Sequence, residues 1–189
     1  MAKNNEKSEG KKIVEAIGKY TDKQHEVANA GWLFYDAPYK AARHIAKRVA
    51  GDRVLDLGGG TGIMASIIGA VTGREMHIEE KNIYETGYVD DEFDTVYSSH
   101  VLEHVEDPVR VIKESIRIAK SRIIHIVPEG YTEDINIGTE HKHQFDRNNF
   151  MGLIGTAIKD MKNVGIADID FIADAHINSL ICVLLKEVE

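Results

Sequence analysis

The sequence predicts a three-layer α/β fold around a Rossmann-like sheet, and two observations carry that prediction. The first is residues 54–62, V-L-D-L-G-G-G-T-G, where an apolar run of strand type ends in four glycines and a threonine. A helix-forming segment at 63–71 begins at once. Strand, tight turn and helix in succession open such a sheet, with a ligand site at the carboxyl end of the strand beside the helix N-terminus. The second is the alternation downstream, in which apolar runs of strand length trade with capped, amphipathic helical segments.

Length and composition bound the rest. At 189 residues the chain is one domain by length, with enough residues for a sizeable core. Hydrophobic residues at 43% and charged residues at 29% describe an ordinary globular protein. No apolar run approaches the ~18 residues of a membrane span. The opening M-A-K-N-N-E-K-S-E-G-K-K lacks the apolar core of a signal peptide, so a cytoplasmic location is expected. The single cysteine, Cys182, lies in an apolar run and reads as a core residue, with no second thiol for a disulfide or a zinc site. A net charge of −8 disfavours a nucleic-acid substrate, because proteins that grip phosphate backbones carry a basic excess on one face. Nothing in the sequence specifies an oligomeric state.

In chain order, residues 1–10 are polar and expected to be disordered. Residues 11–50 form a helical leader, with Ile13, Val14 and Ile17 on one face of a first helix. Trp32, Phe34, Tyr35 and Tyr39 either pack this leader onto the sheet or cover the site as a lid. Pro38 is expected to open a helix over 39–49, whose Arg43, Lys47 and Arg48 read as a solvated face. The main domain, 51–189, starts with a strand over 53–57, the helix closed by Thr72-Gly73, and a second strand at 75–79. Asp94 opens the next strand, 95–98. Asp107-Pro108 supplies an N-cap and a proline at the first helical position, starting a helix through 119. Ser121 opens a strand that ends at Pro128. A long connection over 129–145 carries Tyr131, Glu133, Asp134 and E-H-K-H-Q-F-D, long enough to suspect function. Asp146 caps a helix over 147–159, and 164–172 and 179–187 read as the last two strands.

The chemistry starts at the glycines. A side chain at Gly58 or Gly60 is expected to keep a ligand from the backbone. The dinucleotide fingerprint G-x-G-x-x-G does not fit, because G-G-G-T-G puts its last glycine one place early. A carboxylate at Asp56 is poor company for a pyrophosphate but suits a ligand with an ammonium group. Here the sequence resembles the class I S-adenosylmethionine-dependent methyltransferases, whose first motif has the form h-L-D-h-G-x-G-x-G, with h apolar. Residues 98–108, S-S-H-V-L-E-H-V-E-D-P, add a second resemblance, to the H-x-L-E-H-x-x-D-P stretch of methyltransferases of ubiquinone and menaquinone biosynthesis.

That resemblance implies a mostly parallel sheet of seven strands with an antiparallel finish, and S-adenosylmethionine lying across Gly58, Gly59, Gly60 and Gly62 with Asp56 near its amino-acid end. Glu79, or Glu80 one place further on, would accept the ribose hydroxyls. The spacing departs from the family, because a full helix and strand hardly fit between Lys81 and Glu92, so the sheet is expected to be one βα unit short. If 76–80 is instead the third strand, Asn82 replaces Glu79 as the cofactor contact. Ser98 and His100 would lie at the carboxyl end of the central strand. The base candidates are His143, His141 and His100, in that order, with His104 bracing the turn. His141 and His143 alternate as two metal ligands on a strand would, near Glu140 and Asp146, but the resemblance implies no metal. It implies a small-molecule acceptor methylated at oxygen, nitrogen or carbon. The shortened sheet keeps open a regulatory or scaffold protein that binds S-adenosylmethionine without transferring its methyl.

Overall fold

The computed structural model describes residues 33–60, 62–79, 82–130, 141–173 and 178–187. Their elements are α1 (Leu33–Ala46), β1 (Arg53–Leu57), α2 (Ile63–Thr72), β2 (Glu75–Glu79), β3 (Phe93–Ser99), α3 (Pro108–Ile118), β4 (Ala119–Pro128), α4 (Arg147–Ile158), β5 (Val164–Ile172) and β6 (Ser179–Lys186). The leading polar tail, the first expected helix, Trp32, Glu80 and the loop residues from Tyr131 to Glu140 lie outside the described residues.

The strands form one sheet in the order β2-β1-β3-β4-β6-β5. β1 pairs in parallel with β2 and β3, and β3 with β4. β6 inserts antiparallel between β4 and β5. The strands alternate their side chains between two cores. Leu55, Val96 and Ile123 face α3 and α4 with Phe150 and Ile154. Val54, Tyr97 and Ile124 face the other side with Ile45, Ala65 and Ile68 of α1 and α2. Both faces are therefore covered, and β1, β3 and β4 are buried along most of their length, polar positions included. After β1 the chain turns one way to β2, then crosses to β3 on the other side. That reversal opens the crevice at the carboxyl ends of β1 and β3 where an open α/β sheet takes its ligand.

The sheet is one unit short, as the spacing predicts. β2 lies directly against β1, with Asp56 opposite Ile78 and Leu57 opposite Glu79, so the second strand is present and the third is the one replaced. Residues 82–92 return to β3 with neither helix nor strand. A polar clamp from α3 fixes this return. Thr86 donates its backbone N–H and hydroxyl to Glu114 Oε1 at 2.8 and 2.7 Å. Arg117 donates to Glu114 at 2.8 Å, to Asp90 at 2.6 Å and to the Tyr88 carbonyl at 2.8 Å. Burial opposes ionisation of Glu114, but the hydrogen bonds from Arg117 and Thr86 outweigh it and bring the carboxyl down to about 2.

At the opposite end of the strands, Asp94 accepts the Asp52 and Arg53 N–H groups at 2.8 and 3.0 Å. A Cβ at Gly51, where φ is +67°, would sit 2.2 Å from the Asp94 Cβ, so only glycine lets the carboxylate seat there. Both expected caps form. Asp107 accepts the Arg110 N–H with Pro108 at the first position, and Asp146 makes a reciprocal capping box with Asn149. Two expectations need correction. α1 begins at Leu33, so Pro38 lies in its second turn and forgoes one helix hydrogen bond instead of opening the helix. Arg48 is no solvated residue, because its guanidinium bridges Asp168 at 2.9 Å and Asp170 at 2.7 Å on β5.

Replacing Glu114 by Gln should lower unfolding stability at pH 7 by about 2–3 kcal/mol, since the Arg117 and Thr86 donors lose a charged acceptor. The folded pKa lies below the ordinary 4.5, so this contribution is complete above about pH 4.5 and fades as the pH falls towards 2. Urea unfolding of both proteins across that range measures it.

Candidate functional site

The turn after β1 is tight beneath and open above. The Gly58 N–H donates to the Glu79 carbonyl at 2.7 Å, tying the turn to the end of β2. A Cβ on Gly58 would lie 2.7 Å from the Val101 Cγ2, and one on Gly59 would lie 2.8 Å from the Asp56 Cγ. A Cβ on Gly60 would meet nothing within 4 Å. Gly58 is thus dictated by packing against the loop after β3, and Gly60 is the position where a side chain would project into open space. Gly58, Gly60 and Gly62 have φ of +85°, +52° and +75°. Gly62 stands at the N-cap of α2 with no side-chain cap bond, which sets the helix N-terminus beside the turn.

Asp56 is 2% exposed beneath Gly59. It stands opposite Tyr97 of β3 in the parallel register. Burial, and then the Asp56 carboxylate, push the Tyr97 phenol well above its ordinary range. On the other flank Glu79 is half-buried, and its Oε1 lies 3.4 Å from the Asn82 N–H. Asn82 is exposed and turns its Oδ1 to the Glu85 N–H at 3.1 Å.

The end of β3 supplies the second half. Ser98 is fully buried, and its hydroxyl bonds His125 Nδ1 at 2.8 Å while His125 Nε2 meets the Ser115 hydroxyl at 3.2 Å. The Ser98 hydroxyl is therefore taken up between β3, β4 and α3 and does not face the mouth of the sheet. His100, with φ of +55°, sets its Nδ1 3.4 Å from Glu103 Oε1 and its Nε2 3.3 Å from the Ser179 hydroxyl.

Two chain segments meet here. The backbone N–H groups of Lys142 and His143 donate to the Glu103 carbonyl at 2.7 and 3.1 Å. His143 Nε2 donates to the Val105 carbonyl at 2.9 Å, so a neutral ring keeps its Nδ1 lone pair free to take a proton. His141 and His143 do not act as neighbours on a strand. His141 is exposed and sets its ring edge-on to His104 at 4.7 Å. His143 borders an open cleft of about 450 Å³ lined by Pro108, Val109, Lys142, Phe145 and Leu153. Two residues of this site carried no role in the sequence reading. Glu103 sits inside the L-E-H motif and Tyr97 inside an apolar strand, and neither pattern reveals that a carboxyl and a phenol are buried there.

A family model described as a methyltransferase domain matches residues 30–151, most of the chain. The chain belongs to that family. Among solved structures, the fold is similar to 1,6-didemethyltoxoflavin-N1-methyltransferase from Burkholderia thailandensis, bound to its substrate and S-adenosylhomocysteine. That match has a TM-score of 0.61 at 14% identity over 87% of this chain and 85% of that one. It is also similar to a SAM-dependent methyltransferase from Aquifex aeolicus, with a TM-score of 0.60 at 10% identity over 81% and 93%. Magnesium protoporphyrin IX methyltransferase from Synechocystis, with bound SAH, gives a TM-score of 0.55 at 14% identity over 79% and 83%. No curated protein matches the sequence. No described helix of this methyltransferase is long and apolar enough to cross a membrane.

Burial brings the His125 imidazole down to about 3 from an ordinary 6.5, so it is neutral in the folded methyltransferase at working pH. Between those values the unfolded chain takes up a proton that the folded one refuses. Stability from this group therefore falls as the pH drops below 6.5, by about 1.4 kcal/mol per unit. Urea unfolding at pH 6.5, 5.5 and 4.5 should show that slope, and His125→Asn should flatten it.

Proposed function

We propose that the protein transfers the methyl group of S-adenosylmethionine to an oxygen, nitrogen or carbon atom of a small molecule, in the manner of the ubiquinone and menaquinone biosynthesis enzymes its H-V-L-E-H-V-E-D-P stretch resembles. The observation that carries this reading is the turn at Gly58–Gly62. It is bare and open at Gly60, backed by a buried carboxylate, and set at the crevice between β1 and β3. The family match and the bound SAH of two similar structures support it. Residues 51–189 make up the catalytic domain on this reading, with 11–50 as a leader over it and 1–10 as a tail.

When bound, the cofactor supplies an electrophilic methyl on a sulfonium that leaves as a thioether, so the protein has no covalent work of its own. Gly58, Gly59, Gly60 and Gly62 admit the ligand to the backbone. Asp56 supplies negative charge beneath its amino-acid end. Glu79 accepts the two ribose hydroxyls, because β2 is the second strand, and Asn82, the contact expected had it been the third, turns its Oδ1 to Glu85 instead. The crevice holds the acceptor atom in line with the methyl, and such positioning is worth roughly 7–11 kcal/mol of barrier. His143, through Nδ1, takes the proton that an oxygen or nitrogen acceptor must lose. His141 and His100 stand next in line for that role.

Gly60→Leu should weaken S-adenosylmethionine binding by at least about tenfold in calorimetry, because its side chain fills the open side of the turn, while a thermal melt shows the protein still folded. Gly58 is unsuited to this test, since any side chain there strikes Val101. Labelled S-adenosylmethionine incubated with a metabolite pool identifies the acceptor. With that acceptor, His143→Asn should cut turnover by about 10²- to 10⁴-fold at unchanged cofactor affinity, and full turnover would remove His143 as the base.

A further inference from the structure

Glu103 is 1% exposed, yet among the described residues neither carboxylate oxygen has a hydrogen-bond partner. His100 Nδ1 at 3.4 Å and His104 Nε2 at 3.8 Å are within ion-pair reach of Oε1, and neither makes a hydrogen bond to it. His104 Nδ1 is likewise buried, with no hydrogen bond among the described residues. Burying a carboxylate and an imidazole nitrogen side by side without partners is costly unless something else satisfies them.

A third group completes the arrangement. Glu103, His104 and His141 each offer a ligand atom, and these atoms lie within 4.8 Å of one another. His141 comes from a segment distant in sequence and is held in place by the bonds of Lys142 and His143 to the Glu103 carbonyl and of His143 to the Val105 carbonyl. Lys142 Nζ adds an ion pair to Glu106. The backbone that presents His141 is therefore fastened to the backbone that presents the other two.

We propose that Glu103, His104 and His141 bind a divalent transition-metal ion. Two imidazoles and one carboxylate are a donor set suited to Zn²⁺, Fe²⁺ or Co²⁺, and three protein ligands leave coordination positions open. A tetrahedral ion with bonds of about 2.0–2.1 Å brings its ligands to about 3.3 Å apart, so the cluster closes by no more than about 1.5 Å on binding. The exposed side of His141 leaves the open positions to solvent and to an incoming oxygen donor. The site sits in the loop whose Val101 presses on Gly58, so a ligand there is an acceptor bearing a hydroxyl or carboxylate oxygen beside the proposed methyl donor. That acceptor class rests on the methyltransfer reading, whereas the metal site does not. Metal ligation also occupies a lone pair of His141, which leaves His143 and His100 as the base candidates.

The test is a titration of the chelator-stripped, full-length protein with Co²⁺ followed by displacement with Zn²⁺, in the absence of any methyl donor or acceptor. The expected result is one Co²⁺ per chain with visible d–d absorption, and an affinity lowered at least about tenfold in both His141→Ala and Glu103→Gln but not in His44→Ala. Because His141 is on the surface, its variant should melt like the parent. Absence of saturable one-to-one binding, or full affinity in the folded His141→Ala protein, overturns the proposal. Neither outcome bears on cofactor binding at Gly60.

Discussion

The contact that the rest of this structure depends on is the close approach of Gly58 to Val101. The turn after β1 and the loop after β3 meet with no space for one methyl group between them. Through that contact the two strand ends form a single rim. On one side lie the glycine turn, the buried Asp56 and Glu79. On the other lie His100, Glu103 and His104, with His141 and His143 fastened against them from a third segment. A side chain at Gly58 would wedge the halves apart, so the glycine belongs to the packing of the site as much as to any ligand.

Much of this was legible from residues alone, and the reasons are local. The strand, turn and helix at 53–72 announce themselves because each is encoded within a few residues, by apolar alternation, by glycine and by helix-forming side chains. The caps at Asp107 and Asp146 are readable for the same reason. Pro38 misled because proline is over-represented at the first helical position, whereas here the helix runs through it. Arg48 misled because its partners, Asp168 and Asp170, come from a strand at the far end of the chain, and pairing at that separation leaves no mark on the surrounding sequence.

The site follows the same division. The glycines were marked by the motif itself, but the environment of Asp56 depends on Tyr97 in the neighbouring strand. Ser98 occupies the expected strand end, while its hydroxyl answers to a buried His125 whose position only the fold reveals. His141 and His143 looked like a pair because alternation on a strand would put them on one face. In the structure the chain there is a loop, and each histidine faces a different partner. The loss of one βα unit was legible as a shortage of residues, whereas that the third strand is the missing one shows only in the pairing of β2 with β1. Its replacement by the Glu114–Arg117 clamp was not legible, because any acidic and basic residue on an amphipathic helix looks like ordinary surface.

Methyl transfer by this protein requires the bare bend at the end of the first strand to receive a sulfonium nucleoside or its thioether product. The most direct measurement is an amide NMR spectrum of the isotopically labelled protein, recorded while S-adenosylhomocysteine is added. The expected result is saturable shifts concentrated at Gly58, Gly59, Gly60, Gly62 and Glu79, passing to Val101 across the rim. A titration that leaves those amides in place while moving others, or that moves none, would contradict it.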